Sequence, residues 1–336
     1  MFWYTGTMKN EKGSLSGSAL PRRDFLKRAF AVGGLMATSQ LPVLADDPAV
    51  FPKRGRYERL VLAYIHIDAG ATKPFSVLHI SDTHLTDAYP EEGKNKQELK
   101  RIRTQTFGGR QEEALRDSLA WAKANTDFVL HTGDLVDWMS DANMDLVKKY
   151  TGEGFFGSMG NHEFSPDMWL SRYTEDEPGK AVNAPKLKEA YPYDIRFSSK
   201  VVNGVNFIAL DDVFGTIAPD LVERFRAEVQ RKLPIILCMH VPFATPTIMR
   251  ADYKYWHGAG KTFQSAAIPA PWGDYKRQQA DPVTRDFIAY LKEEPLLKCI
   301  LSGHLHITVE DQFSPTCRQY VTAGGFLFHG REVIFI

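Results

Sequence analysis

Cysteine is scarce, with three in 336 residues. An odd, small number in a long chain excludes a disulfide-stapled scaffold. A surplus of charge is also missing, since Lys+Arg and Asp+Glu both number 41. A chain without that surplus does not hold nucleic acid by bulk electrostatics. No apolar run reaches the ~20 residues a membrane span needs, so no stable membrane anchor is expected. Internal repeats and collagen-like periods are absent as well. What is present is an ordinary globular composition, 43% hydrophobic and 24% charged. A chain of this length can bury a large core without metals or disulfides to staple it. It has room for one large domain or two modest ones.

The first 45 residues read as a separate segment. Pro21-Arg22-Arg23-Asp24-Phe25-Leu26-Lys27 leads into a mildly apolar run from Ala29 to Thr38. Leu41-Pro42-Val43-Leu44-Ala45 follows, then the acidic Asp46-Asp47. A basic part, a short apolar part and small residues before a cut are the three parts of a secretory signal. The paired arginines followed by Phe-Leu-Lys resemble the bacterial twin-arginine export signal. Pro21 stands where that signal usually has Ser or Thr. The reading is therefore a leader over 1–45 and a single domain over 46–336. The leader would make transient contact with export machinery and deliver the protein to the periplasm or beyond. It carries six basic and two acidic residues, so the remainder holds four more acidic side chains than basic ones.

Beyond residue 56, short apolar or β-branched runs end abruptly in polar residues. Phe75 to Ile80 ends at Ser81-Asp82-Thr83-His84, and Phe128 to His131 ends at Thr132-Gly133-Asp134-Leu135-Val136-Asp137. Gly154 to Met159 ends at Gly160-Asn161-His162-Glu163, Ile235 to Met239 at His240, and Lys298 to Ser302 at Gly303-His304-Leu305-His306. Runs of this length followed by turn residues read as buried strands. Helical spacing appears over Arg110–Asn125, Ala218–Lys232 and Val283–Glu294. The alternation predicts an α/β layered fold with a mixed sheet or two packed sheets. Arg59–Ile67 is expected to pair with Phe75–Ile80 across Asp68–Pro74. Asn203-Gly204 between two Val-rich runs predicts a hairpin. Gln319–Thr322 and Glu332–Ile336 are expected to close the sheets.

In open α/β sheets ligands bind beyond the carboxyl ends of strands, where all five polar clusters fall. The donors gathered there are Asp82, His84, Asp134, Asn161, His162, His240, His304 and His306. Asp82/His84 and His304/His306 are two residues apart, so persisting strand geometry would point each pair to one face. The set exceeds the need of one tetrahedral zinc ion and contains no cysteine. Imidazole, carboxylate and amide donors together suit first-row ions such as Mn, Fe or Zn. Two ions sharing one bridging carboxylate is the simplest arithmetic. Such a pair clamps a phosphoryl group and makes a hydroxide nucleophile from water near neutral pH. His162 is the candidate proton donor to the leaving group, and Asp137 can hold its imidazole in place.

The ordered blocks Asp-x-His, Gly-Asp-x-x-Asp, Gly-Asn-His-Glu, His and Gly-His-x-His resemble the calcineurin-like metallophosphoesterase family. The resemblance implies a four-layer α/β/β/α sandwich of two mixed sheets flanked by helices. It implies a first metal on Asp82, His84, Asp134 and His306, and a second on Asp134, Asn161, His240 and His304. Asp134 would bridge, and His162 would act as general acid. The pattern is closest to bacterial class III cyclic-nucleotide phosphodiesterase-like proteins. Trp138 and Met159 stand where the family's protein phosphatases carry phosphate-gripping arginines, and Asp137 stands where its purple acid phosphatases carry Tyr. Both branches are disfavoured.

The leading expectation is an exported hydrolase of small phosphoesters, with diesters preferred. A phosphomonoesterase on nucleotides, sugar phosphates or lipid head groups is the alternative, and a silent metal-binding protein is a third reading. His79 and His131 lie inside strands and read as core residues. Cys238 and Cys299 read as buried small hydrophobes, with a disulfide between them left open. Arg101, Arg103 or Arg110 can lean over the rim to meet a phosphate. Phe164–Pro192 and Phe243–Pro282 read as long irregular rim loops. For the leader, N-terminal sequencing of exported protein is expected to begin at Asp46. An uncut N-terminus on exported protein would overturn that reading.

Overall fold

A computed structural model describes residues 59–165, 177–213, 215–255 and 280–336. The leader expected over residues 1–45 lies outside the described residues. So does the part of the expected rim loop Phe243–Pro282 from 256 to 279. Among the described residues eleven strands form two mixed sheets. The first holds β1 (Val61–Ile67), β2 (Phe75–Ile80), β3 (Phe128–Thr132), β4 (Phe155–Ser158) and β11 (His329–Phe335), in the order β1-β11-β2-β3-β4. The second holds β5 (Phe197–Val202), β6 (Val205–Leu210), β7 (Ile235–Cys238), β8 (Leu297–Ser302), β9 (Val309–Gln312) and β10 (Arg318–Val321), in the order β5-β6-β7-β8-β10-β9.

Seven helices accompany them among the described residues: α1 (Lys94–Thr106), α2 (Gln111–Asn125), α3 (Asp141–Tyr150), α4 (Glu177–Ala190), α5 (Pro219–Val229), α6 (Pro246–Tyr255) and α7 (Pro282–Glu293). The expected helices are α2, α5 and α7. The last starts on Pro282 with the Asp281 side chain accepting from Thr284 N at 2.7 Å, which satisfies an end donor.

Three apolar layers separate the elements. Val129, Phe155 and Leu78 meet Leu115, Trp121 and Val147 from the helices outside the first sheet. Phe75, Phe128, Phe207, Ile236 and Phe335 fill the space between the sheets. Ile208, Leu237 and Ile300 meet Phe225, Phe287 and Leu291 outside the second sheet. The four-layer expectation is therefore met, because both faces of each sheet are covered.

The β5–β6 hairpin over Asn203-Gly204 forms as expected, with Val202 opposite Val205. The expected β1–β2 pair does not form. β11 lies between them, parallel to β1 and antiparallel to β2. Neighbours in sequence are the usual partners, but here a chain-distant strand supplies the apolar match. The Phe164–Pro192 stretch is not irregular throughout, since α4 occupies Glu177–Ala190. Its Pro185 lies inside the helix and hid the periodicity. Helix α6 likewise interrupts Phe243–Pro282. All three cysteines are buried and free, so the open disulfide does not form.

Phe207 is fully buried and meets Phe75, Phe128 and Phe335 at ring-centroid distances of 6.0, 5.1 and 5.2 Å. It ties the two sheets together. Phe207→Ala is expected to cost about 3–5 kcal/mol, read by denaturant unfolding. A loss under ~1 kcal/mol would show that the inter-sheet layer repacks freely.

Candidate metal centre

The five motif loops meet at one rim because backbone pairing continues past the strand ends. Asp82 N donates to Gly133 O and His84 N to Asp134 O, both at 2.9 Å, and Gly303 N donates to His240 O at 3.1 Å. Two motif glycines are set by close approach. A Cβ on Gly160 would lie 2.1 Å from Asp134 Oδ1, and one on Gly303 would lie 1.8 Å from Ser81 Oγ. No side chain fits there.

The strand geometry expected to aim the paired ligands does not persist. Asp82, His84, Asp134, His304 and His306 all have positive φ, between 50° and 68°. Left-handed conformations turn each chain sharply after its strand and redirect alternate side chains inward. Asp and His tolerate this region better than β-branched residues do. The i,i+2 pairs converge, then, but by turning rather than by strand alternation.

Among the described residues three donor groups result, one of them His84, Asp137 and His162, and the other two share a carboxylate. Asp82, His84, Asp134 and His306 can bring ligand atoms within 4.8 Å of one another, and so can Asp134, His240 and His304. Asp134 belongs to both. His306 Nε2 lies 3.0 Å from His84 Nε2 and 3.2 Å from Asp82 Oδ1. His240 Nε2 lies 3.2 Å from both Asp134 Oδ2 and His304 Nδ1. Asn161 Oδ1 is buried with no hydrogen-bond partner, and Asn161 lines the same cleft. A buried amide oxygen left unpaired is costly unless something positive meets it. The residues present thus fit a pair of cations.

Hydrogen bonds fix the tautomers. His240 Nδ1 donates to the Thr132 carbonyl at 2.7 Å, which leaves Nε2 as the atom that faces the other donors. His84 Nδ1 donates to Asp137 Oδ1 at 2.9 Å, which frees its Nε2 likewise. His162 Nδ1 donates to the Asp137 backbone oxygen at 2.9 Å, with Asp137 Oδ1 3.0 Å away. Its Nε2 then faces the cleft, 3.9 Å from Asp134 Oδ2.

The electrostatics follow from burial and close charge. Burial pushes the His84 pKa down to about 4, against the pull of Asp137. Burial would lower His240 too, but Asp134 overcomes it and raises the pKa to about 10. His162 rises to about 9 because Asp134 and Asp137 outweigh burial. Burial disfavours ionised Asp82 and Asp134, yet the surrounding imidazoles hold both carboxyls below the usual range. Asp137 is held well below it in the same way, against its own burial, by the Arg103 guanidinium.

Other functional residues carry little sequence signal. Glu163 accepts from Asp134 N, Leu135 N and Gly160 N at 3.0, 2.6 and 2.9 Å, so it staples two ligand loops together. Burial and nearby Asp134 push its pKa up to about 7. Asp212 accepts from His240 N and Val241 N, both at 3.0 Å. It follows β6 as the motif residues follow their strands, which is the signal the sequence carries for it. Phe107 stacks on His84 at 4.3 Å, and Phe326 packs edge-on against Phe107 at 4.8 Å. Both line a cleft of about 310 Å³ with Arg103 and His162. Of the three arginines considered, Arg103 reaches this cleft. Arg101 and Arg110 pair with Glu98 and Glu113 at the surface. Trp138 and Met159 are wholly buried, and His79 and His131 are core residues as expected.

Comparison with known proteins gives a family but no near relative. No curated protein matches. The fold is similar to a dimetal phosphatase from Danio rerio, at 12% identity over 75% of this chain and 88% of that one, with a TM-score of 0.40. It is similar to a phosphopantetheinyl hydrolase from Mycobacterium tuberculosis, at 13% identity over 75% and 91%, with a TM-score of 0.42. A 5'-nucleotidase from Candida albicans aligns at 10% identity over 79% of this chain and 47% of its own length, with a TM-score of 0.33. None of these carries detail about this chain. The family model described as calcineurin-like phosphoesterase, by contrast, matches residues 75–308, which runs from β2 through both histidines of the last motif. With its two clusters meeting on Asp134, the chain belongs to the calcineurin-like phosphoesterase family and is a metal-dependent hydrolase.

Proposed function

We propose that the protein is an exported phosphoesterase that prefers diesters. The observation that carries the reading is Asp134, one carboxylate common to two donor clusters, beside the unpaired buried oxygen of Asn161. Asp82, His84, Asp134 and His306 would hold one cation, and Asp134, Asn161, His240 and His304 the other. Mn, Fe or Zn suits these donors. When bound, the pair supplies Lewis acidity toward a phosphoryl group and an activated water at neutral pH.

The protein's own groups do the rest. His162 has its Nδ1 proton committed to Asp137, so Nε2 is the position that exchanges a proton with the cleft. It can protonate the leaving alkoxide oxygen. Phe107 and Phe326 form an apolar wall suited to an organic ester arm. The buried Trp138 and Met159 offer no charge to a phosphate dianion, which supports diesters over monoesters. Export rests on the twin-arginine-like leader.

Three measurements test this reading. Asp134→Asn is expected to lose bound metal and activity together, by metal analysis and assay of one sample. His162→Ala is expected to keep its metal while kcat falls ~10²–10⁴-fold. A His162→Ala protein emptied of metal would make that residue a ligand instead. Matched aryl diester and monoester substrates, assayed with added Mn, are expected to favour the diester. Faster monoester turnover would make the protein a phosphomonoesterase.

A further inference from the structure

One aspartate orients two imidazoles of the centre, His84 through its carboxylate and His162 through its backbone oxygen with the carboxylate alongside, and a buried arginine grips that carboxylate. Asp137 Oδ1 lies 2.9 Å from His84 Nδ1 and 3.0 Å from His162 Nδ1. Arg103 Nη2 donates to the same oxygen at 2.7 Å, and Arg103 Nε donates to Oδ2. The two side chains are 9% and 0% exposed. Two N–H groups, from His84 and Arg103, thus converge on one oxygen beside the His162 ring, which donates to the Asp137 backbone oxygen, while the arginine fork blocks rotation of the carboxylate. Arg103 sits in the last turn of α1, between the first and second motifs. Its guanidinium also lies 4.7 Å over the Phe107 ring, and Phe107 stacks on His84. Helix α1 therefore holds His84 twice, by its ring face and through its Nδ1.

We propose that Arg103 is a positioning residue of this centre, acting through Asp137 on His84 and His162 rather than on substrate. The inference rests on the reading of His162 as proton donor. An arginine placed to meet a phosphate leaves its fork facing the ligand. Here the fork is closed on a buried carboxylate with two-point geometry, which a lysine cannot reproduce. Removing the guanidinium leaves Asp137 buried with imidazole donors alone, free to tilt and to drag both rings with it.

The test is a double-mutant cycle on metal-loaded protein of measured metal content, with a phosphodiester substrate. Arg103→Ala is expected to lower kcat ~10–100-fold with KM close to wild type. In the Asp137→Asn background the same substitution is expected to change kcat less than ~3-fold, because the element it acts through is already gone. Arg103→Lys, which keeps charge without the fork, is expected to recover only part of the loss. It also replaces Arg103→Ala in the cycle should that variant fail to fold. A raised KM with kcat intact would make Arg103 a substrate contact and overturn the proposal. Full additivity with Asp137→Asn would overturn it while leaving the His162 reading standing. An unchanged kcat in Asp137→Asn alone would overturn both.

Discussion

One buried carboxylate, Asp134, set among three histidines is the constraint on which the rest of the site depends. Burying it beside two imidazole nitrogens 3.0 Å apart and an unpaired amide oxygen is costly unless positive charge lies among them. The scaffold accepts that cost through backbone rather than through side-chain packing. Five left-handed residues, glycines without room for a methyl group, and the carboxylates of Asp82, Glu163 and Asp212 gripping neighbouring N–H groups all hold the loops in register. Charge is thus balanced at two levels, first among the donors and then in the loops that carry them.

The donor identities were legible in the sequence because each lies at the end of an apolar run. Strand ends marked Asp82, Asp134, Asn161, His240 and His304 without any knowledge of their distances. The way they converge was not legible. Strand alternation is the periodicity that a strand-end motif displays in sequence, whereas the chain uses positive φ at Asp82 and His304. A left-handed Asp or His leaves no compositional trace.

The supporting residues were harder still. Glu163 lies inside a recognised block but points backward, to the N–H groups of Asp134 and Leu135. Its role exists only once two loops touch. Arg103 was one of several basic residues in a charged stretch, and burial alone separates it from Arg101. Sheet order failed for a similar reason. Nothing local to β1 indicates that its partner is β11, since both are short apolar runs with many possible mates.

That sheet order has a kinetic side. β1 finds no neighbour until β11 has been made, and β11 is the last of the described strands in chain order. The carbonyl of Ile336 then accepts from Ala69, Gly70 and Ala71, latching the seam from its far end. Such a closure has high contact order and belongs to slow folding. While synthesis continues, β2 keeps an open edge that invites wrong partners. A nascent chain halted before β11 would therefore leave β1 unpaired and one edge of β2 bare.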